Sequence, residues 1–256
     1  MPEIDVNANY TEVSRWTTGS GVRLAYRQRA GNAPTLLFLP GYASDMNGAK
    51  ALALDTFAAE RGLAMLRFDY SGTGASGGRF EDGTLTSWLA EARAMIDGLT
   101  AGPLILIGSS MGGWVALHLT LGMPERVQAL VGIAAAPDFT DWGFTAEDQA
   151  QLRATGKFER TSEQGGDPQL TTLHFWESGQ ALRLLGGPIA IDCPVRLIHG
   201  DADADVPPAI AMRLMAQLRS ADVQLTLVKG SGHRLSEPRE IEAILRTVAA
   251  LVEPVQ

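Results

Sequence analysis

A Gly-x-Ser-x-Gly sequence at residues 108–112 constrains the fold of this chain more than any other feature. The residues before it, 103–107 (PLILI), form a short apolar run of the kind that a buried parallel strand requires. The residues after it, 114–119 (WVALHL), favour a helix. A serine between strand and helix is typical of a nucleophile elbow, whose sharp turn exposes the central side chain. The pattern predicts an exposed Ser110, against the alternative of a Gly-rich turn in a chain with 28 glycines.

Length, composition and charge are those of a globular protein. The chain has 256 residues, of which 45% are hydrophobic and 20% are charged, and this length suits one large α/β domain. The formal net charge is −8 and the pI is about 5.0. Nucleic-acid binding requires clustered Lys and Arg, so a nucleic-acid partner is not expected.

The cysteine count and the N-terminus bear on the compartment. Cys193 is the single cysteine, so an intrachain disulfide is excluded. Residues 1–5 carry neither the basic segment nor the apolar stretch of a secretory signal. Apolar runs fall far short of the ~20 residues that span a bilayer. We therefore expect a cytoplasmic protein with no integral membrane segment.

Strands and helices alternate along most of the chain. Apolar runs predict strands at 11–17, 22–28, 35–39, 63–68, 103–107, 127–134, 195–198 and 223–228. Helical spacing predicts helices at 49–61, 84–99, 208–218 and 241–252, besides the one that follows Ser110. The first two strands are expected to form a hairpin through turn residues 18–21. This order predicts an α/β fold with a mostly parallel, eight-stranded sheet and helices on both faces.

Residues 137–191 interrupt the alternation. They contain six aromatic residues among polar, Gly-rich and helical pieces: Phe139, Trp142, Phe144, Phe158, Phe175 and Trp176. Because the alternation resumes afterwards, we interpret this segment as a cap inserted into a single domain of residues 1–256. Trp142, Phe175 and Trp176 are candidates for contact with an acyl chain, and the alternative is that these aromatics form the core of the cap itself.

A serine is a poor nucleophile until a base removes its proton, and the base needs an acidic partner. The chain has four histidines to choose from: His118, His174, His199 and His233. His118 lies on the helix after Ser110, His174 in the cap, and His199 at the end of a predicted strand. His233 lies in a Gly-rich loop between the last strand and the last helix. Such a loop, at the C-terminal edge of the sheet, allows a base to reach Ser110, so we predict His233 as the base.

The acid is expected after a strand that lies between the serine and the histidine in the sequence. Asp201, Asp203 and Asp205 follow the strand at 195–198, and Asp203 is favoured. Asp138, after the preceding core strand, is the fallback. Three neighbouring carboxylates also resemble a cation site, but the run lacks the closing Glu and the central Gly of a calcium loop. No metal ion is therefore expected.

Two backbone amides are expected to form an oxyanion hole. The Met111 N–H follows from the elbow, since this residue comes directly after the nucleophile. The Tyr42 N–H is the best second candidate, because Gly41 allows a close approach. The Tyr42 ring is a candidate for the acyl site or for simple packing. Arg234, next to the predicted base, is a candidate for contact with an anionic substrate group such as a glucuronate carboxylate, or forms a surface salt bridge.

The order Ser110, Asp203, His233 across these elements resembles the α/β-hydrolase superfamily over about residues 21–252, apart from the cap. A closer resemblance is to mitochondrial palmitoyl-protein thioesterases that also cleave acyl glucuronides, and to their bacterial relatives. It is carried by residues 39–42 (LPGY), 46–48 (MNG), 69–72 (DYSG), 108–114 (GSSMGGW) and 233–234 (HR). The resemblance implies an α/β-hydrolase fold and a catalytic Ser, Asp and His at positions 110, 203 and 233. Residues 1–10 are acidic and short, and no transit peptide is evident in them.

The predicted function is hydrolysis of a carboxylic ester or thioester through an acyl-serine intermediate, with no cofactor. The expected partner is a small acyl ester or thioester. A ligand receptor that keeps the hydrolase fold is an alternative, and so is a C–C or peptide bond hydrolase with the same three residues. The cap offers no recognisable pair of carboxylates for a peptide amine. Dehalogenases and epoxide hydrolases usually use an Asp nucleophile, whereas position 110 is Ser.

Overall fold

The computed structural model describes residues 12–19, 21–160 and 168–252. Its strands are β1 (Ser14–Thr17), β2 (Arg23–Arg29), β3 (Asn32–Leu39), β4 (Leu63–Phe68), β5 (Leu104–Ser109), β6 (Val127–Ile133), β7 (Lys157–Arg160), β8 (Gln169–Thr172), β9 (Val195–Gly200) and β10 (Val223–Val228). Its α-helices are α1 (Ala49–Glu60), α2 (Leu85–Leu99), α3 (Met111–Gly122), α4 (Phe139–Trp142), α5 (Ala146–Thr155), α6 (Leu173–Ala181), α7 (Pro208–Gln217) and α8 (Pro238–Val252). The expectations about residues 1–10, Thr11 and Ser20 lie outside the described residues.

Eight strands form one sheet in the order β1-β2-β4-β3-β5-β6-β9-β10. β1 and β2 form the expected antiparallel hairpin, and β2 is also antiparallel to β4. All remaining neighbours are parallel. The prediction of a mostly parallel eight-stranded sheet with helices on both faces is therefore confirmed.

The central strands are continuous apolar runs because both of their faces are covered. All six residues of β5 are buried, and β5 lies between β3 and β6. On one face, α1 and α8 pack over the sheet, and on the other face α2, α3 and α7 do so. The carboxyl end of β5, which leads directly to Ser110, is thereby fixed between two neighbouring strands.

The segment between β6 and β9 holds α4, α5, the antiparallel pair β7–β8, and α6. The β7–β8 hairpin was not predicted. A small separate cluster, made by Phe144, Leu152 and Trp176, lies in this segment. Phe175 and Ile189 instead belong to the main core. The part that stands apart from the sheet is therefore narrower than residues 137–191.

Within the described ranges, none of the helices combines the length and apolar character needed to span a bilayer.

Candidate active site

Ser110 lies in the sharp turn between β5 and α3. Its backbone has φ 53° and ψ −120°, a conformation that L-residues rarely adopt. An added Cβ atom at Gly108 would overlap the backbone of Gly112, and one at Gly112 would overlap the Leu39 carbonyl group. Both glycines of the motif are thus required by close backbone contacts, and the turn that they permit leaves the Ser110 side chain half-buried.

The structure brings Ser110, His233 and Asp203 together. The Nε2 atom of His233 is 3.1 Å from the Ser110 Oγ atom, and its Nδ1 atom is 2.8 Å from Asp203 Oδ2. Ser110 follows β5, Asp203 follows β9 and His233 follows β10, so all three lie at the carboxyl edge of the sheet. A continuous hydrogen-bonded relay from hydroxyl to imidazole to carboxylate is the geometry that activates a serine.

The Asp203 side chain is fully buried and its carboxylate is surrounded by donors. Oδ1 accepts the backbone N–H groups of Asp205 (3.0 Å) and Val206 (2.8 Å). Oδ2 accepts Nδ1–H of His233 and also faces Nε2 of His199 at 3.2 Å. Burial raises the pKa of Asp203, but the hydrogen bonds from the two histidines outweigh it and hold the pKa well below its usual range. Asp203 is therefore ionised at neutral pH.

The other histidines have different surroundings. His118 Nε2 lies 2.8 Å from the Leu182 carbonyl oxygen, and burial lowers its pKa. His174 is exposed on α6. His199 is buried, and its Nε2 lies 2.8 Å from the Val206 carbonyl oxygen as well as near Asp203. The sequence analysis placed His199 at the end of a predicted strand and gave it no role in the site. A spacing of four residues across a strand end was the one feature of the sequence compatible with this contact, and it does not determine how tightly the chain turns.

Two of the remaining acid candidates bind backbone amides elsewhere, and the third, Asp205, is exposed at the cavity. Asp138, the fallback, accepts the N–H groups of Leu184 and Leu185, and burial raises its pKa. Asp201 is exposed and accepts the Gly230 N–H at 2.5 Å. These contacts leave Asp203 as the candidate that meets His233.

The loop after β3 lies beside Ser110. A Cβ atom at Gly41 would be 3.3 Å from that of Ser110, so the Tyr42 amide starts close to the elbow. The Met111 amide begins α3 and has no intrahelical partner. Two buried groups fix the far end of the loop: Arg67 donates to the Met46 carbonyl oxygen (2.7 Å), and Asp69 accepts the Met46 N–H (2.7 Å).

A cavity of about 950 Å³ opens at Ser110 and His233. The predicted contact residues Tyr42, Trp142 and Arg234 lie on its wall. The prediction for Phe175 and Trp176 is wrong, because neither lines this cavity. Phe175 is 1% exposed in the main core, and Trp176 packs in the small cluster and donates through Nε1 to the Thr140 carbonyl oxygen (2.8 Å).

Tyr42 connects the loop after β3 to the β7–β8 hairpin. Its hydroxyl donates to the carbonyl oxygen of Leu170 in β8 at 2.6 Å, and burial raises its pKa. Its ring contacts those of Phe80, Trp88, Phe139 and Phe175. Packing and cavity lining are therefore both roles of this side chain.

Two cationic side chains line the cavity near His233. Arg234 is exposed and, among the described residues, has no carboxylate within ion-pair distance, so the expected surface salt bridge is not formed. Lys50, which sequence reasoning missed, donates to the backbone carbonyl of Arg234. Burial lowers the Lys50 pKa, although the charge of Glu240 opposes the shift. Nothing in the helical pattern of α1 distinguished Lys50 from other exposed positions.

One group of potential metal-binding side chains was found among the described residues. Asp203, Asp205 and His233 each have a ligand-type atom within 4.8 Å of the others. The contact between Asp203 and His233 is a hydrogen bond, so a proton lies between these two groups.

Comparisons with known proteins identify the family and the fold of this chain. Residues 36–244 match the alpha/beta hydrolase family. The chain is 38% identical over 234 residues to the human mitochondrial palmitoyl-protein thioesterase ABHD10, covering 90% of this chain and 76% of the relative. The structure of mouse alpha/beta hydrolase domain-containing protein 10 superposes with a TM-score of 0.89 at 34% identity, covering 94% of this chain and 98% of that one. A crystal structure from Agrobacterium vitis S4 gives a TM-score of 0.89 at 41% identity, covering 94% and 99%.

The comparisons also correct one expectation. The prediction of a cytoplasmic location is wrong, because the curated human, orangutan and bovine relatives are all named as mitochondrial. That prediction depended on the single cysteine and on the lack of a secretory signal in residues 1–5, and neither observation distinguishes the cytoplasm from mitochondria.

Proposed function

Since this chain belongs to the alpha/beta hydrolase family and is an ester or thioester hydrolase, we propose that it cleaves its substrate through an acyl-serine intermediate on Ser110. The observation that carries the proposal is the relay of two hydrogen bonds, 3.1 Å from Ser110 to His233 and 2.8 Å from His233 to Asp203. No other described histidine has a hydrogen bond to the Ser110 hydroxyl.

The acylation step follows from this geometry. His233 Nε2 removes the Ser110 proton as Oγ attacks the carbonyl carbon, and a tetrahedral oxyanion forms. Ionised Asp203 keeps the Nδ1–H tautomer of His233 and stabilises the imidazolium. As the intermediate collapses, His233 returns the proton to the departing oxygen or sulfur. Water, deprotonated by His233, then attacks the acyl-serine, and His233 returns that proton to Ser110 Oγ as the bond to the acyl group breaks and the acid is released.

The oxyanion would be held by the backbone N–H groups of Tyr42 and Met111. Met111 supplies an amide at the N-terminus of α3, where the helix dipole favours negative charge. Tyr42 supplies the second from the loop that Arg67 and Asp69 hold in place. Donors fixed before the reaction are typically worth about 3–4 kcal/mol each in the transition state.

The segment at 137–191 acts in this proposal as a cap on a single catalytic domain, and it forms one wall of the substrate cavity. Its apolar contribution includes Phe139, Trp142, Phe144 and Phe158. A volume of about 950 Å³ lies in the range of pockets that bury whole organic ligands, about 300–1,000 Å³. We assign the acyl group to this apolar wall, which suits an acyl thioester of the kind named for the human relative.

Arg234 and Lys50 lie on the same cavity wall as His233. Because His233 protonates the leaving group, these cations would contact the leaving-group part of the substrate. An anionic or strongly polar leaving group fits this side of the cavity better than an apolar one.

An activity panel tests the proposal. The purified enzyme is assayed with p-nitrophenyl esters of several chain lengths, a palmitoyl thioester and an acyl glucuronide, alongside Ser110→Ala. We expect the variant to lose on the order of 10⁶-fold in kcat, and a fluorophosphonate probe to label only the wild type. Turnover by Ser110→Ala at near wild-type rate would refute the acyl-serine mechanism. Labelling of the wild type with no turnover of any acyl substrate would favour a ligand receptor instead.

A further inference from the structure

A second histidine contacts the carboxylate that orients His233. His199 lies near the end of β9 and its side chain is 1% exposed. Its Nε2 atom is 3.2 Å from Asp203 Oδ2 and 2.8 Å from the Val206 carbonyl oxygen. The same Oδ2 atom accepts Nδ1–H of His233 at 2.8 Å. Two imidazoles therefore approach one carboxylate oxygen from different strands.

The hydrogen-bond partners define the proton on His199. A carbonyl oxygen and an ionised carboxylate oxygen are both acceptors only. Nε2 of His199 must therefore carry a hydrogen, which it shares between Val206 and Asp203. His199 is consequently a fixed donor in this structure, in contrast to His233, whose Nε2 faces the Ser110 hydroxyl.

The turn after β9 explains why His199 is needed. Asp203 sits on a tight turn in which its N–H donates to the Gly200 carbonyl oxygen (3.3 Å). Its Oδ1 atom is held by two amides of the same turn, whereas Oδ2 has no donor from the turn itself. His199 binds both Oδ2 and Val206, so it closes the turn from the strand side.

We propose that His199 is a positioning residue, which fixes Asp203 Oδ2 for its hydrogen bond to His233 through an Nε2–H donor. This inference rests on the proposed function, in which Asp203 orients the base. His199 does not itself line the cavity and has no hydrogen bond to Ser110; it reaches the site through Asp203 and through Val206, a lining residue whose carbonyl oxygen it also binds. The proposed role is the one that passes through the carboxylate.

The charged groups around the carboxylate set the expected sign of a pH effect. Asp203 is faced by His199 from β9, by His233 from the loop after β10, and by the amides of Asp205 and Val206; the Asp205 carboxylate is exposed beside it. The positive end of the His199 N–H dipole faces Oδ2 and weakens the electrostatic attraction between the Asp203 carboxylate and protonated His233. Removing that dipole strengthens the attraction and favours protonated His233, which cannot act as the base. The acid limb of the kcat/KM profile should therefore move to higher pH.

A matched pair of substitutions tests the donor. In His199→Gln the side-chain amide places an N–H close to the position of the lost Nε2, whereas in His199→Asn the amide is too short to reach Oδ2. We expect His199→Asn to lose about 10-fold or more in kcat and to raise the acid limb by about 0.5 pH unit, and His199→Gln to stay within about 3-fold of the wild type. His199→Phe keeps the ring volume without a donor and replaces the Asn variant if that variant does not fold.

Equal rates and equal acid limbs for His199→Gln and His199→Asn would overturn the proposal, whether both match the wild type or both are impaired. A double-mutant cycle gives an independent readout. In an Asp203→Asn background, loss of His199 should change kcat by less than about 2-fold, since its effect passes through the carboxylate. A full 10-fold loss in that background would also refute the role.

The two proposals fail differently. If the acyl-serine mechanism is wrong, Ser110→Ala remains active and the probe does not label the wild type. If only the role of His199 is wrong, the wild type is labelled and Ser110→Ala is inactive, but the His199 variants do not separate as described.

Discussion

Ser110 has a backbone conformation that its side chain disfavours. At φ 53° and ψ −120° a Cβ atom lies close to the backbone, which costs of order 1–3 kcal/mol in a non-Gly residue. Gly108 and Gly112, on either side of Ser110, lie in close contact with neighbouring backbone atoms, and these contacts hold the turn between β5 and α3 in this conformation. The strain is retained at the one residue whose hydroxyl meets His233.

This strain predicts that removing the Cβ atom at position 110 stabilises the fold. Ser110→Ala and Ser110→Gly both lack the hydroxyl, and they differ only in the Cβ atom. We expect the Gly variant to have a free energy of unfolding about 1 kcal/mol higher than the Ala variant, since relief of strain exceeds the added entropy of the unfolded chain. Urea unfolding of the two variants measures the difference. A less stable Gly variant would show that the turn is unstrained.

The pKa of Asp203 makes a pH-dependent contribution to stability. Because the folded-state pKa lies below the ordinary value of 3.8, this contribution is fully present above pH 3.8 and is lost as the pH falls further. We expect Asp203→Asn to lower the free energy of unfolding by about 2 kcal/mol at pH 6. The difference from the wild type should shrink below pH 4, and urea unfolding from pH 6 to pH 3 tests it. A difference that grows in acid would contradict the direction of the shift.

Residue types and positions in the sequence predicted which side chains meet at the candidate site better than they predicted the groups that hold those side chains in place. His233 could be chosen because the chain has four histidines and one of them lies in a Gly-rich loop after the last strand. The contact of His199 with Asp203 depends on how tightly the chain turns after Gly200, which composition does not determine. Lys50 lies in the first turn of α1, which directly follows the loop after β3, but its contact with the Arg234 carbonyl oxygen depends on the tertiary fold and has no local signal.

At the scale of elements, the hairpin β7–β8 is hydrogen-bonded to the loop after β3 through one side chain. Tyr42 donates to the Leu170 carbonyl oxygen in β8, while its ring stays in an aromatic cluster of the main core. The residues of β7 and β8 are mostly half-buried or exposed, so few apolar contacts secure them. Tyr42 therefore couples the position of the cap hairpin to that of the loop that carries the proposed oxyanion amide.

Tyr42→Phe should loosen this hairpin without disturbing the core. Loss of one hydrogen bond costs about 1 kcal/mol, so the amides of β7 and β8 should exchange with solvent about 5-fold faster. Hydrogen exchange read by mass spectrometry measures this. Tyr26→Phe is a matched control, since within the described ranges the Tyr26 hydroxyl has no hydrogen bond. Equal exchange in the two variants would exclude a tether through Tyr42.

The sequence predicted the strands that are buried along most of their length, and it did not predict β7 and β8, which are not. β4, predicted at 63–68, has those same bounds because its apolar run is covered on both faces. The sequences of β7 (KFER) and β8 (QLTT) have no clear apolar alternation, so their pairing depends on neighbours. Phe175 and Trp176 follow one another on α6 and therefore point about 100° apart, one into the main core and one into the small cluster. Aromatic content alone did not indicate that α6 contributes no side chain to the cavity wall.

At the scale of the whole molecule, residues 144–172, the narrower part of the proposed cap, lie between two helices that contact each other. α4 and α6 pack together, with Trp176 Nε1 donating to the Thr140 carbonyl oxygen at 2.8 Å. Residues 144–172 leave from the end of α4 and return at the start of α6. The sheet register between β6 and β9 involves none of these residues.

Replacing residues 144–172 with a short Gly-Ser linker should therefore leave the α/β core folded. The variant loses Phe144, Phe158 and Leu170 from the cavity wall, so it should lose discrimination between acyl chains. Each buried methylene is worth about 0.8 kcal/mol, or about 4-fold in rate, and the octanoate-to-acetate ratio of kcat/KM should fall by at least about 10-fold. Circular dichroism and p-nitrophenyl ester kinetics measure both outcomes. An unfolded variant would show that the α/β core needs residues 144–172 to fold. An unchanged ratio would show that these residues do not contact the acyl chain.

The contact between α4 and α6 has a consequence for the history of such enzymes. Insertions and deletions between these two helices would change the stretch proposed to meet the acyl group, while the strands that precede Ser110 and Asp203 keep their pairing. Related proteins can thus diverge in substrate preference faster than in reaction mechanism. Gene lineages built on this scaffold should differ most in length between residues 143 and 173.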